Sequence, residues 1–575
     1  MIGKRVRPAS LFAFAFFKEA AAIREPVLDA VDRLLEDPAL LALSTQALAS
    51  RSPSSDKVGR EGIAPDRLLR CVVLKHIKGW SYRELHRELR ASLLYRRFTR
   101  FYEDPIPDFS NLCRAFALFG KEGTEQIHQW AVQQSKEATM IAGKKLRTDT
   151  TAVETNIHHP TNSSLLADSL RVMSRSLHRI VQGCQESEFR IVNHARAAKH
   201  RVLEISRAAR TFTQAGQEQL KQSYKKLIGL TQKVRAQAAM VLVALKDDQL
   251  VARPEAFFKV MAAEASLKHY LPLVEKVINQ SQARIFQAQT RHPDKILSLF
   301  EPHSVVIRKG KAHKPNEFGR LVRIDEVENG FVSNYAVAPG NLCDQQQWVP
   351  ALEAHVELFG QAPRLAAADR GFWNNANEKA AVQIGVKQVV LPGCGRLSAS
   401  RSARQKQRWF RRGQGWRAGI EARMSTLKHH FGMQRALYKG QVGFERHVGW
   451  CIVAHNLVAM SRARRKSGDR RSRQKMPTTN NQASSARLQL LREIRQLAQV
   501  AIYGSLSETY RTCGNPNCRC HHSGPKHGPH LYISYRGKDG KTTAYYVPQH
   551  AETQIRQGVA AWSQLQDRLR ENLRL

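Results

Sequence analysis

Strand-like and helix-like segments alternate along residues 296–465, and this alternation constrains the fold more than any other feature of the sequence. Two strands joined by a hairpin turn precede a helix, a short strand ending at Asp369, a second helix, a second short strand and a long helix carrying Glu421. Upstream, Lys145–Thr155 is rich in β-branched residues and holds Asp149 in mid-strand, where β-propensity disfavours aspartate. The pattern predicts an α/β domain, and the aspartate that breaks the local strand rule makes Asp149 a candidate functional residue.

The helix predicted over residues 416–431 displays one acidic side chain among cations. At about 100° per residue, Arg417, Glu421 and Lys428 share a narrow stripe beside an apolar one. On an isolated helix such a stripe is most often a surface ladder of ion pairs. The alternative is a metal-binding Glu421 with cationic neighbours that bind phosphate. This helix alone cannot distinguish the two interpretations, which depend on whether other metal-binding residues lie near Glu421. The Arg-rich residues 395–415 before the helix are expected to form a loop.

Charge and length narrow the class of protein. The chain has 575 residues, which favours two to four domains, and 91 Lys and Arg against 49 Asp and Glu give a net charge of +42. A polyanion, and above all double-stranded DNA, is therefore the expected partner. No apolar run approaches the roughly 18 residues needed to span a membrane. Residues 11–17 imitate a signal peptide but are followed at once by Lys18 and Glu19, and six of nine cysteines are isolated, so we expect a cytoplasmic protein.

Residues 1–138 are expected to form an all-α DNA-binding region. Within it, one helix ends at Gly79, and a Ser-x-x-Glu capping box starts the next, Tyr82–Ala91. Helix, glycine-containing turn and helix is the outline of a helix-turn-helix. The second helix carries Arg83 and Arg87, which would contact DNA. The alternative is an ordinary helical hairpin with a solvated charged face.

Three further regions follow from composition. Residues 164–295 are basic with few strand signals, and predict an insertion of several long helices. Residues 466–485 have the composition of a disordered basic linker. Residues 486–575 predict a small α+β module with an amphipathic helix, a hairpin and a closing helix.

Cysteines concentrate in this C-terminal module. Cys513, Cys518 and Cys520 lie within eight residues, with glycine and proline between them and several histidines nearby. This density predicts a Zn²⁺ site with His527 as the first choice for a fourth ligand. The spacing is not a standard C-x2-C pair, so reduced structural or redox cysteines are the alternative.

Between residues 60 and 465 the chain resembles the DDE transposases of bacterial insertion sequences. The matching motifs are Thr148-Asp149-Thr150, Ala368-Asp-Arg-Gly-Phe372 and Arg417-x3-Glu421-x6-Lys428. The related signature has a Tyr three residues before the Arg, and Gln414 stands there in this chain, so no role of that Tyr can be carried over.

The resemblance implies a catalytic domain with a ribonuclease-H-like fold, formed by residues 139–163 and 296–465. It implies that Asp149, Asp369 and Glu421 are catalytic and bind Mg²⁺ or Mn²⁺, which favour oxygen ligands.

It also implies DNA cleavage at transposon ends and strand transfer into target DNA, by a homodimer associated with the bacterial nucleoid. Arg417, Lys428 and Arg370 would contact phosphates. Two other classes remain open: a DNA-binding regulator on an inactive fold, and a metal-dependent nuclease that cuts without joining.

Overall fold

In the computed structural model of the protein, the described residues are 23–50, 62–102, 104–185, 190–290, 292, 295–308, 315–474, 490, 493–536 and 541–574. The chain divides into two compact units between Arg464 and Arg465. None of the helices in these ranges is long and apolar enough to cross a membrane. The apolar run at 11–17 lies outside the described residues.

Seven helices precede the first strand in the described part of the chain. They are α1 Pro26–Leu34, α2 Pro38–Ala49, α3 Pro65–Ile77, α4 Tyr82–Ala91, α5 Leu93–Phe98, α6 Phe109–Ala117 and α7 Gly120–Glu137. The predicted capping box starts α4, since the Ser81 hydroxyl accepts the Glu84 amide and the Glu84 carboxylate accepts the Ser81 amide, at 3.2 and 2.7 Å. Gly79 turns the chain between α3 and α4 with φ +66°.

A buried polar cluster joins α3 to a later helix, α16 Gly440–Gln474. His76 lies 2.9 Å from the Tyr438 hydroxyl and 3.4 Å from Cys451 Sγ. The Lys75 ammonium lies over the Tyr438 ring at 4.9 Å. Burial, followed by the nearby Lys75, lowers the pKa of His447 to about 3, so this imidazole is neutral at physiological pH.

A mixed sheet of seven strands forms the centre of the first unit. The strands are β1 Lys145–Thr155, β2 Val305–Arg308, β3 Asn316–Glu326, β4 Val332–Val337, β5 Leu365–Ala367, β6 Gln388–Val390 and β7 Arg435–Ala436. Their order is β2, β3, β1, β5, β6, with β4 also paired to β3 and β7 to β1. β3 is antiparallel to β1, β2 and β4, whereas β1, β5 and β6 are mutually parallel. The predicted α/β alternation is confirmed.

Helices α12 Asp344–Phe359, α13 Asn375–Ile384 and α15 Arg408–His430 pack with this sheet. Helix α14 Ala399–Lys406 instead pairs with α13 through ion pairs of Arg401 and Arg404 with Glu378. The expectation of a loop over residues 395–415 is wrong for most of its length, because α14 lies within it and α15 begins at Arg408. Gly413, within the segment expected to be a loop, is buried inside α15. A Cβ there would lie 2.6 Å from the Val390 side chain, so this glycine lets the helix approach β6.

The predicted helical insertion lies between β1 and β2. Its helices are α8 Asn162–Gly183, α9 Ala195–Ala208, α10 Gln214–Lys246 and α11 Phe257–Phe286. They enclose an apolar cluster of their own, in which Leu166, Leu177 and Leu227 are fully buried. The insertion therefore has its own core rather than a share of the sheet's.

The second unit contains a three-stranded antiparallel sheet and a closing helix. Its described elements are a helical segment at 493–500, β8 Ser505–Arg511, β9 His527–Arg536, β10 Thr542–Tyr546 and α17 Glu552–Arg574. The predicted hairpin and closing helix are present, while β8 was not predicted. In the expected linker, residues 466–474 continue the backbone of α16, and residues 475–485 lie outside the described residues.

Candidate active site

Parallel pairing of β1 with β5 brings Asp149 and Asp369 together. The last aligned pair is Arg147 with Ala367, and the two aspartates each lie two residues further along. Because the paired strands run in the same direction, both side chains reach the same edge of the sheet. The first two of the three predicted catalytic residues are therefore neighbours.

The environment of Asp149 opposes its negative charge. Its side chain is 16% exposed, and burial together with the like charge of Asp369 raises the pKa of Asp149 to about 7. The Thr150 amide, which donates to Asp149 Oδ1 at 2.7 Å, and the Arg417 guanidinium counteract only part of this rise. Without a cation, keeping both aspartates ionised at neutral pH costs free energy.

The Ala-Asp-Arg-Gly-Phe motif fixes Asp369 just beyond β5. Asp369 Oδ1 accepts the Gly371 amide at 2.8 Å, and Phe372 is fully buried. A Cβ at position 371 would lie 2.9 Å from Asp344 Oδ2 and 3.0 Å from Asp369 Oδ1. Glycine is therefore needed where two acidic side chains converge. Arg370, the residue directly after Asp369, is exposed at this edge.

Asp344 is a fourth carboxylate of the site and was missed in the sequence. It is the first residue of α12, and its Oδ1 accepts a hydrogen bond from the Thr150 hydroxyl at 2.7 Å. Its charge also contributes to the raised pKa of Asp149. Acidic residues are common in the first turn of any helix, so the sequence contains no signal that separates Asp344 from an ordinary N-terminal residue.

Glu421 reaches the site through Arg417. The Arg417 guanidinium lies 3.9 Å from Asp149 Oδ2 and 3.3 Å from Glu421 Oε1, so it bridges the two carboxylates. The Glu421 side chain is 68% exposed, and the three acidic residues are not among the groups of described residues whose ligand atoms all lie within 4.8 Å of one another. Lys428, predicted to share the stripe of Glu421, is half-buried further along α15.

A buried arginine and glutamate pair positions the helix that carries Glu421. Arg147 donates to the carboxylate of the fully buried Glu326 and to the carbonyl of Trp416, and its guanidinium lies 4.9 Å from the Trp416 ring centroid. Arg423 approaches Glu326 to 3.5 Å from α15 itself. Gly419 faces Arg147, and any Cβ there would overlap the guanidinium. None of these residues was predicted, because their pairing depends on strand register and helix placement.

The second unit brings its four predicted ligands together. Cys513 Sγ is 3.6 Å from Cys520 Sγ, and Cys518 Sγ is 3.2 Å from His527 Nε2. All four ligand atoms lie within 4.8 Å of one another. The Cys520 amide and then the His527 side chain lower the pKa of the Cys518 thiol to about 6, so its thiolate is accessible at neutral pH.

The predicted DNA-contacting arginines lie on the outer face of α4. Arg83 and Arg87 are exposed, while Leu85 and Leu89 on the opposite face are fully buried. The Arg83 guanidinium lies 4.9 Å from the Phe109 ring centroid, and Arg87 pairs with the neighbouring Glu88. The charged face of the second helix is therefore available to a polyanion.

Comparison with known proteins identifies two segments. Residues 17–118 match a family model described as a transposase domain, DUF772, and residues 482–557 match a domain of unknown function, DUF6788. Comparisons with curated proteins and with solved structures gave no match. The first match covers helices α1 to α6 and supports a transposase, a class of protein that acts on DNA. Neither match includes the carboxylate site.

Proposed function

We propose that the chain is a DDE transposase, which cleaves DNA at transposon ends and joins the freed 3′-hydroxyl to target DNA. The observation that carries this proposal is the meeting of Asp149 and Asp369 on adjacent parallel strands, with Glu421 linked to them through Arg417. The transposase-domain match in the N-terminal helices supports the same conclusion independently.

Strand order supports a ribonuclease-H-like catalytic domain. The strands β4, β3, β1, β5 and β6 are neighbours in that order, the first three antiparallel and the last three parallel. The resemblance implies a first Asp in the first strand, a second just after the fourth and a Glu on a late helix. Here Asp149 lies in β1 and Glu421 on α15, whereas Asp369 follows β5, the fifth strand, because the short strand β2 precedes β3.

The donor set of the site fits Mg²⁺ or Mn²⁺. Asp149 and Asp369 offer hard carboxylate oxygens side by side, and the raised pKa of Asp149 reflects a negative charge that a cation would balance. Glu421 would complete the set from the solvent side. A divalent cation bound there would activate the attacking hydroxyl and neutralise the leaving oxygen.

The protein's own residues would orient the DNA. Arg417, already between two carboxylates, provides positive charge where a scissile phosphate would approach, and Arg370 and Lys428 would contact neighbouring phosphates. Asp344 positions Asp149 indirectly, because it accepts the hydroxyl hydrogen bond of Thr150.

A cationic cavity supports further contact with DNA away from the carboxylates. It has a volume of about 740 Å³, and the described residues that line it include Arg284, Lys295 and Arg308 but no acidic side chain. Burial, Arg284 and Arg308 together lower the pKa of Lys295. A phosphate backbone would relieve this concentration of positive charge. We propose that DNA flanking the cleavage point contacts this cavity and that two chains pair the two ends.

The test is cleavage and strand transfer on a duplex that carries the terminal sequence of the encoding element. Asp149→Asn, Asp369→Asn and Glu421→Gln should each abolish both reactions and leave end binding intact, whereas Glu255→Gln, at an exposed position of the insertion, should have no effect. Cleavage that survives any of the three changes contradicts the proposal. Cleavage without joined products would favour a nuclease, and binding without cleavage by the unaltered chain would favour a regulator.

A further inference from the structure

We propose that Cys513, Cys518, Cys520 and His527 bind one structural zinc ion. This inference concerns the second unit and is independent of the proposed transposase activity. The four residues come from the loop after β8, the short helical turn that follows it and the first residue of β9.

Two distances between the ligand atoms are close to those of a tetrahedral zinc site, and all four atoms lie within 4.8 Å of one another. Zn–S bonds of about 2.3 Å and a Zn–N bond of about 2.0 Å, at tetrahedral angles, place two sulfurs roughly 3.8 Å apart and a sulfur and nitrogen roughly 3.5 Å apart. The observed separations are 3.6 Å between Cys513 and Cys520 and 3.2 Å between Cys518 and His527. The sulfurs are much too far apart for a disulfide, and the three thiols are free.

The local structure selects His527 from the nearby histidines. The imidazole of His521 contacts the carbonyl oxygen of Cys513 through Nε2, and His530 packs its ring against Tyr546 at 6.0 Å. Only His527 has a ring nitrogen in the group whose atoms lie within 4.8 Å of one another. Three thiolates and one imidazole fill a four-coordinate site, which is the composition of a structural rather than a catalytic zinc.

A second group of Cys and His side chains in the described residues is a less suitable zinc site than the C-terminal cluster. His76, His447 and Cys451 also have ligand atoms within 4.8 Å, but they offer three ligands only. The buried Lys75 ammonium beside them opposes a further cation, as its lowering of both histidine pKa values indicates. The C-terminal cluster has a complete set of soft ligands, which select Zn²⁺ over Mg²⁺.

A zinc ion would also compensate for a small core. Among the described residues of the second unit, the fully buried apolar side chains are few, with Leu531 and Val547 at 1% and 3% exposed. Units of this size commonly depend on a metal or disulfides in addition to apolar burial. Zinc would tie the loop that leaves β8 to the start of β9.

The experiment measures metal in the full-length chain, purified without added zinc or chelator. We expect about one zinc per chain by elemental analysis, lost in Cys518→Ser and His527→Ala. Cys394→Ser, at an exposed cysteine of the first unit, and His522→Ala, at an exposed neighbour of the site, are the matched controls and should keep the metal. Absence of zinc, or zinc that survives both ligand changes, would overturn the proposal.

Cobalt substitution tests the ligand set without any variant, in case the altered chains do not fold. The unaltered chain reconstituted with Co²⁺ should show the intense visible bands of tetrahedral cobalt and a near-ultraviolet sulfur-to-cobalt charge-transfer band. A weak octahedral spectrum, or three cluster thiols that react with a thiol reagent as fast with zinc as without it, would contradict a Cys3His site.

Discussion

The carboxylate site and the Cys and His cluster assemble polar ligands by opposite routes. Asp149 and Glu421 are 272 positions apart (421 minus 149), whereas Cys513 and His527 are 14 apart (527 minus 513). The first site requires the correct strand order, parallel register and placement of α15, whereas one loop and one strand end suffice for the second. A long-range site therefore depends on the whole fold, and a local one on a short segment.

The two sites also differ in the ion that they suit. Oxygen ligands at the edge of the sheet favour a hard, exchangeable cation, and one of them, Glu421, is largely exposed. Thiolates and imidazole favour a softer ion held in a closed set. We therefore expect the two metals to act independently.

The largest expected effect is that a variant of each site loses the function of that site and keeps the function of the other. Asp369→Asn should reduce cleavage roughly 10³-fold or more while zinc content stays unchanged. Cys518→Ser should lose zinc and keep Mg²⁺-dependent cleavage within about threefold. Cleavage assays paired with elemental analysis on each variant make the measurement. If loss of zinc abolished cleavage as completely as loss of Asp369, the independence of the two sites would be wrong.

A second prediction concerns the placement of α15. Gly419→Leu should force the helix away from Arg147 and reduce cleavage roughly 10²-fold, because small displacements of a catalytic group are costly. Ala418→Leu adds the same side chain at the adjacent, exposed position and should leave activity nearly unchanged. Equal cleavage by the two variants, measured at matched folded fractions, would show that the contact between Arg147 and Gly419 does not position α15 for cleavage.

Much of this arrangement could be predicted from the sequence, and what could not has a physical reason. The strand around Asp149, the capping box at Ser81 and the Cys and His cluster are local patterns of periodicity, turn chemistry and spacing, and each appears in the structure. That Asp149 and Asp369 lie close together was expected only from the family resemblance, because no local sequence pattern encodes strand order.

Residues defined by tertiary contact could not be predicted. Asp344 resembles any acidic residue of a first helical turn, and Glu326 is a buried charge whose partners come from two other elements. Gly413 lies in the segment that was expected to be a loop, and although glycine disfavours helices, its close packing on Val390 places it inside α15. In each case a tertiary contact decides what the residue does.

A third prediction distinguishes sequence-specific DNA binding by α4 from non-specific phosphate binding by the cationic cavity. Combined replacement of Arg83 and Arg87 by Ala should weaken binding to the element's own ends roughly tenfold and binding to unrelated DNA less, if α4 reads base edges. Combined replacement of Lys295 and Arg308 by Ala should weaken both to the same extent and reduce the salt dependence.

Arg196→Ala, at an exposed position of the insertion, is the control for loss of charge and should have little effect in the same gel-shift titrations. Equal weakening across all sequences by the Arg83 and Arg87 variant would reduce α4 to a phosphate contact. Unchanged binding by the Lys295 and Arg308 variant would exclude the cavity from the DNA path.

The smallest expected effect is on stability, and it isolates the electrostatics of the carboxylate site. In the metal-free chain, Asp149→Asn should raise the Tm by about 2 °C or more at pH 8, because the variant no longer holds a buried negative charge next to Asp369. Thermal unfolding in chelator makes the measurement, with Glu255→Gln as the exposed control.

The sign of the pH dependence follows from the raised pKa. Folded Asp149 binds its proton up to about pH 7, against an ordinary value of 3.8, so the folded state binds more protons than the unfolded state between these limits. The unaltered chain should therefore lose stability as pH rises from about 4 to about 7, and the advantage of Asp149→Asn should grow over that window and then level off. Adding Mg²⁺ at pH 8 should stabilise the unaltered chain and not the variant, because the cation balances the same charge that the substitution removes. If the difference in stability between Asp149→Asn and the unaltered chain did not depend on pH, or if Mg²⁺ stabilised both chains equally, the destabilisation would not arise from paired carboxylates at a metal site.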